Sequence, residues 1–300
     1  MAEFENVIYE KKGGIAYVIL NRPQKLNAMD VLTRIEIKQA CDQANDDEDI
    51  KVIVVKGNGR CFSSGWDLAP GPVQQKFNFP RLREGREQEA WDLALNRMRV
   101  GEDGIFSQAL WDNMKPSIAQ IHGYCLAAGG LLMSMCDLAI ASEDAIFGYP
   151  AARFGGIGPL YAHPWYIGLR KSKELSFTGW MIGAQEALRI GWINKVVSRE
   201  QLEDEVELWA DTISKMPPLV AYFSKITINT FYEQMGLKSM MKLGGSLSAI
   251  SEASTLPGSN KWAEKRRQEV GLQAYLEERD APFKKVDNII RERLGLRPKR

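Results

Sequence analysis

Two short segments place small residues beside polar ones directly behind apolar runs. They are Cys61-Phe62-Ser63-Ser64-Gly65-Trp66-Asp67-Leu68 and His122-Gly123-Tyr124-Cys125-Leu126-Ala127-Ala128-Gly129-Gly130. Small residues let a ligand approach the backbone closely. A helix starting in the second segment would add unpaired N–H donors and the positive end of its dipole. Two such turns facing each other could hold an oxyanion, with donors placed where negative charge develops at a carbonyl. Either turn alone reads as no more than a tight strand–helix connection.

Other chemistries find little support. Cys41, Cys61, Cys125 and Cys136 lie in apolar stretches with no C-x-x-C pair, and read as reduced core residues of a cytosolic protein. With only His122 and His163 as histidines, no zinc-type ligand cluster forms, and no metal is expected. A net charge of +1 gives no electrostatic argument for nucleic acid or membrane as partner. The N-terminal residues lack an apolar h-region, so no signal peptide is expected. From Pro116 to Cys136 the only ionisable basic or acidic side chain is His122. Gln120, Tyr124 and the Gly129-Gly130 pair also interrupt that run, so it reads as a buried strand and helix rather than a membrane span.

The elements that must position the two segments alternate. Ile15–Leu20 reads as a strand stopped at Asn21-Arg22-Pro23, Met29 to Ala44 has helical spacing, and Ile50 to Val55 is an apolar strand closed by Gly57-Asn58-Gly59. Ser117 to Ile121, Leu138 to Ala141 and Ile193 to Val197 read as further strands, with helical patterns from Gly129 to Met135 and from Ala184 to Ile190. Apolar strands separated by helices argue an α/β fold with a sheet covered on both faces. The 300 residues suffice for a large core without disulfides. Residues 70–108 form a long excursion with turn signals and an amphipathic stretch, the pattern of a lid or binding loop. After Pro217-Pro218 the chain reads as helical to its end, and its basic tail reads as a solvated helix or subunit contact.

Together the two segments and their surroundings resemble the enoyl-CoA hydratase/isomerase (crotonase) superfamily, from about Ile15 to Phe283. The series includes Asn21-Arg22-Pro23-Gln24-Lys25-Leu26-Asn27-Ala28-Met29 and the two segments above. It continues through Cys136-Asp137-Leu138-Ala139-Ile140-Ala141, Phe147-Gly148-Tyr149-Pro150, Thr178-Gly179, Ala184 to Ile193 and Ala274-Tyr275-Leu276-Glu277-Glu278-Arg279. Each motif is loose, but the ordered series is specific. The resemblance implies a spiral of ββα turns over residues 1–216, with a variable loop or lid at 70–108. A helical trimerisation region over 217–300 would follow. It also implies a coenzyme A thioester as substrate, no cofactor beyond that CoA, and a homotrimer or dimer of trimers.

Matched residue by residue, the oxyanion donors fall on the N–H groups of Trp66 and Ala128. Lys25, Leu26, Ser64 and Trp66 fall along the CoA nucleotide and pantetheine. Gly65, Asp67, Leu68, Gly129, Leu131 and Ala151 complete the substrate-facing set. Arg22 and Lys25 could meet phosphates, or be surface cations beside a strand end. Asp67 reads as orienting its turn. Tyr275 matches an aromatic residue on a helix that reaches CoA in a neighbouring subunit, although the lysine expected three residues later is Glu278, with Arg279 next to it.

The hydratases flank their alkene with two glutamates, since proton transfer at carbon needs a group within hydrogen-bond reach. Here those positions are Leu131 and Ala151. Some relatives use a later aspartate, where this chain has Gly158 or Pro159. An ordinary syn-hydration is therefore not expected. C–C cleavage or decarboxylation needs no such pair, because bond breaking itself yields the enolate. The expected activity is thus a lyase, a C–C-cleaving hydrolase or a decarboxylase. The alternatives are an enoyl-CoA hydratase/isomerase with relocated acid and base, and a non-catalytic CoA-binding scaffold. Candidates for relocated groups are Tyr149, Arg153, Tyr161 and His163, the last as a base near neutral pH. Arg153 could instead form an internal ion pair, with Asp137 as one partner, and His163 could be packed. Trp66, with Phe77, Trp91 and Trp111, points to an aromatic or alicyclic acyl group.

Overall fold

A computed structural model describes residues 4–68, 108–154, 163–254 and 257–296. Among these residues the strands are β1 (Val7–Lys12), β2 (Ile15–Leu20), β3 (Val52–Gly57), β4 (Ser117–Ile121), β5 (Tyr124–Leu126), β6 (Leu138–Ser142), β7 (Ile146–Gly148), β8 (Met181–Gly183) and β9 (Lys195–Val197). Six of them form one sheet in the order β1-β2-β3-β4-β6-β9, antiparallel only between β1 and β2. A second sheet, β5-β7-β8, lies apart from it.

β2 is buried at every position because both faces of the main sheet are covered. Its side chains alternate. Ala16, Val18 and Leu20 join Ile53, Val55, Ala119 and Ile121 in the larger cluster, which Ile37 and Ala40 of helix α1 (Val31–Asp46) complete. On the other face Tyr17, Ile19, Val54 and Ile118 pack against Leu202, Val206 and Ala210. The α/β architecture with a doubly covered sheet follows the expectation from the apolar runs. Asp30 starts α1 by accepting the Thr33 N–H at 2.8 Å, and buried Glu36 accepts the N–H groups of Glu5 and Asn6, holding the chain end that feeds β1.

The further helices are α2 (Ala128–Met135), α3 (His163–Thr178), α4 (Ala184–Arg189), α5 (Leu202–Ser214), α6 (Pro218–Gln234), α7 (Leu237–Ala253), α8 (Asn260–Val270), α9 (Leu272–Asp280) and α10 (Lys284–Arg293). Lys225 anchors α6 to the core. Its buried ammonium donates to the carbonyls of Leu110 (2.8 Å) and Lys115 (3.1 Å) and to Asp137 (2.8 Å). Among the described residues no helix is long and apolar enough to cross a membrane, and no group of three or more His, Cys, Asp or Glu side chains is placed to hold a metal. The four cysteines are buried and unpaired. Burial pushes the Cys41 thiol up to about 12 and those of Cys125 and Cys136 well above the ordinary value, so these three stay protonated at neutral pH, and it raises that of Cys61 as well.

Candidate active site

The first segment leaves β3 through a tight fold-back. A Cβ on Gly57 would sit 2.5 Å from the Cys61 carbonyl oxygen, so only glycine fits there. Asn27 ties this fold-back down. Its buried amide donates to the carbonyls of Asn58 (2.8 Å) and Cys61 (2.9 Å), and its Oδ1 accepts the Arg22 N–H (2.9 Å). The Asn27 carbonyl accepts the Ser63 hydroxyl at 2.7 Å, and that hydroxyl accepts the Gly65 N–H at 3.1 Å. Met29 and Trp66 then pair as a parallel bridge. The Met29 N–H donates to Gly65 O (2.7 Å), and the Asp67 N–H donates to Met29 O (3.0 Å). Because the bridge uses the groups flanking Trp66, the N–H of Trp66 itself points to the opposite edge.

The second segment lies along that edge. Ser63 N–H donates to Tyr124 O (2.8 Å) and Leu126 N–H to Ser63 O (3.0 Å), so the first segment runs beside β5. Gly65, at φ +106°, is pressed against the next turn. A Cβ there would lie 2.8 Å from Ala127 Cβ and 3.5 Å from Ala128 N. A Cβ on Gly129 would lie 2.9 Å from Ser63 Cβ, so the two segments also touch one turn further on. Ala127 has φ 48° and ψ −112°, a conformation costly for any residue but glycine. Its N–H donates to Gly148 O of β7 (3.1 Å), and α2 begins at Ala128. The Ala128 N–H is the first of the helix, where no intrahelical carbonyl can meet it. The first turn carries no acidic side chain, so nothing there offsets the positive dipole end. Two backbone donors on touching turns, one at a helix start, make an arrangement that can stabilise an oxyanion.

The acid/base candidates are scattered. Leu131, one turn into α2, is 2% exposed and belongs to the main apolar cluster, and Ala151 sits on the short turn Pro150–Phe154. Tyr149 is buried directly after Gly148, whose carbonyl accepts the Ala127 N–H. Tyr161, Gly158, Pro159 and the expected lid at 70–108, apart from its last residue, lie outside the described residues. Arg153 donates to both oxygens of Asp287 at 2.7 Å each, whereas Asp137 holds Lys225 and Ser117, so the internal ion pair has a partner other than Asp137.

Of the two readings of His163, base or packed side chain, the structure selects the packed one. His163 is 2% exposed, stands edge-on to Trp192 at 4.6 Å between centroids, and neither ring nitrogen has a hydrogen-bond partner among the described residues. Burial pushes its pKa down to about 3, too low for a base near neutral pH. The unfolded chain regains the ordinary 6.5, so between pH 6.5 and about 3 the unfolded state binds a proton that the folded state refuses. Stability therefore falls as pH drops through that window, with a contribution of about 2 kcal/mol at pH 5. In His163→Phe the loss of unfolding free energy between pH 7 and pH 5, read from urea titrations, should shrink by that amount, whereas a loss equal to wild type would count against this assignment.

On the proposed CoA side, Lys25 is exposed at the end of the turn Pro23–Lys25, and the Leu26 carbonyl accepts the Ser64 N–H (2.9 Å). Arg22 is not turned outward. Its guanidinium lies 2.9 Å from Asp67 and 3.3 Å from Asp30 and also donates to the Ala28 carbonyl, which engages it with the Trp66 turn instead of a phosphate. Asp67 orients that turn through Arg22, and the indole of Trp66 lies under Arg34, 5.1 Å from its guanidinium carbon. Leu68 and Ala151 pack onto Ala263 and the buried Tyr275 of the same chain. Asn27 and Ser63 were not singled out for any role. They sit inside motifs that were noticed, but only the folded chain shows which carbonyls they bind.

Comparison with known proteins places this geometry. The family model described as enoyl-CoA hydratase/isomerase matches residues 10–100 and 105–286. The chain is 33% identical to the "Putative enoyl-CoA hydratase EchA13" of Mycobacterium tuberculosis over 80% of its length and 78% of that protein's. It is 31% identical to the "Crotonyl-CoA hydratase" of Syntrophomonas wolfei, covering 93% of this chain and 98% of the relative. A crystal structure of an enoyl-CoA hydratase/isomerase from Xanthobacter autotrophicus Py2 superposes with a TM-score of 0.82 at 29% identity, covering 93% of this chain and 99% of that one. The crotonase-like fold implied by the motifs is thereby shown.

Proposed function

Because this chain belongs to the enoyl-CoA hydratase/isomerase family, we propose that it is an enzyme that polarises an acyl-CoA thioester carbonyl between the N–H groups of Trp66 and Ala128. The observation that carries this reading is the contact of the two turns through Gly65, with α2 starting at Ala128. Negative charge on the thioester oxygen, as an enolate or a tetrahedral adduct, would be held there. Lys25, Leu26 and Ser64 lie where the CoA portion would run, and the reaction asks for no cofactor besides that CoA.

Two finer readings divide on where protons come from. Leu131 and Ala151 support a lyase, a C–C-cleaving hydrolase or a decarboxylase, in which bond breaking generates the enolate without a carboxylate pair. The relatives' names support hydration or isomerisation of an enoyl-CoA, with acid and base relocated and Tyr149 as one donor. The comparisons give this second reading the more direct support. A turnover panel of crotonyl-CoA, a 3-oxoacyl-CoA and malonyl-CoA separates them. Hydration of crotonyl-CoA at ordinary enzymatic rates selects the second, cleavage or CO₂ release the first, and binding without turnover of any would leave a scaffold.

For assembly we propose a homotrimer or a dimer of trimers. Phe223, Ile228, Phe231, Leu243 and Ile250 of α6 and α7 are exposed, and large apolar side chains left bare on neighbouring helices favour a protein contact. Light scattering should return three or six chain masses, and a monomer would contradict it.

A further inference from the structure

The turn Pro150–Phe154 touches the C-terminal helices at two points. Ala151, together with Leu68, packs onto Ala263 of α8 and Tyr275 of α9. Two residues on, Arg153 grips α10. It donates to both Asp287 oxygens at 2.7 Å, lies 3.9 Å from Asp280, and stands over the Phe283 ring at 4.2 Å. The Arg153 and Asp287 side chains are 8% and 11% exposed, so the pair is shielded from water. The same turn follows Gly148, whose carbonyl holds the Ala127 N–H. A short covalent and hydrogen-bonded path thus joins Asp287 to the backbone turn that presents Ala128.

We propose that Arg153 is a positioning residue that latches α8–α10 over the acyl pocket of its own chain, so that Ala263 and Tyr275 close the side formed by Leu68 and Ala151. This rests on the reading that the site takes an acyl-CoA. Acyl recognition then depends on an ion pair that touches neither the acyl group nor CoA. A bidentate, shielded pair fixes both distance and direction, and losing one partner strands the other charge. Lysine at 153 supplies only a point charge and holds the helices less firmly.

Calorimetry with CoA and with crotonyl-CoA, alongside hydrogen exchange over residues 272–293, tests the latch. In Asp287→Asn and Arg153→Gln, exchange over 272–293 should quicken and crotonyl-CoA binding should weaken about tenfold while CoA binding stays near wild type. Arg153→Lys should fall between, and Tyr275→Ala should lose the same acyl-dependent increment with the latch intact. Unchanged exchange in both latch variants would overturn the proposal, as would faster exchange with unchanged crotonyl-CoA affinity. If wild type binds neither CoA nor crotonyl-CoA, the acyl-CoA reading and the pocket-closing role both fall, whereas quickened exchange in the variants would still establish the ion pair as the tether of α10.

Discussion

Gly65→Ala should lower turnover of any thioester the enzyme accepts by about two to three orders of magnitude, the usual cost of losing one oxyanion donor. The new Cβ would meet Ala127 Cβ at 2.8 Å and Leu126 O at 3.0 Å, so the two donor turns must separate. The backbone offers no easy escape, because the Met29 bridge holds Gly65 on one side and the Ser63 hydroxyl on the other. Gly236 is the fitting control. It also has a positive φ, +92°, but nothing lies within 4 Å of its Cβ position. Gly236→Ala should cost about 1 kcal/mol of backbone strain and leave turnover unchanged. Equal activity in the two variants would mean that the turns do not form the reacting site.

Lys225→Met should destabilise the fold by about 3 kcal/mol, read as a lower urea midpoint at constant slope. Methionine fills much the same volume but leaves two carbonyls and Asp137 without their cation. Asp137 keeps its Ser117 contacts and is 21% exposed, which places the cost at the low end for a broken buried pair. The effect should fall on stability and not on the site, because Lys225 joins α6 to β4 and β6 behind the main sheet's end. A shift below about 0.5 kcal/mol would show that the lysine is replaceable packing.

What could be read from the residues followed burial. β2 and β4 occupy the runs Ile15–Leu20 and Ser117–Ile121 because strands covered on both faces must be apolar throughout. The start of α2 could be read to within one residue, at Gly129 against the observed Ala128, because small residues behind an apolar run lead into a helical pattern. The second sheet could not. β5, β7 and β8 have three residues each, too few to show a period, and they pair with segments far along the chain. Yet this sheet is what brings Ser63 beside Cys125 and Ala127 beside Gly148.

The site was legible in the same uneven way. The proposed donors, Trp66 and Ala128, come from the resemblance of two short motifs, and the structure brings the two turns that carry them into contact through Gly65. Side-chain roles depend on partners distant in sequence. Arg22 turned out to serve Asp67, Arg153 to serve Asp287, and His163 to be enclosed against Trp192. None of those partners is near in sequence, and none has a spacing that would announce it. The unusual φ of Ala127 was equally invisible, since alanine in a short turn carries no signal for it.

The central claim is that two N–H groups hold the thioester oxygen, and the carbonyl stretch of bound, carbonyl-¹³C-labelled crotonyl-CoA reports on that bond directly. With wild-type protein the difference infrared band should move to lower frequency than in free solution, because two donors draw electron density onto the oxygen. In Gly65→Ala at ligand saturation the band should move back toward its free position. A wild-type band that stays at the solution frequency while the complex is fully formed would contradict the oxyanion hole at Trp66 and Ala128.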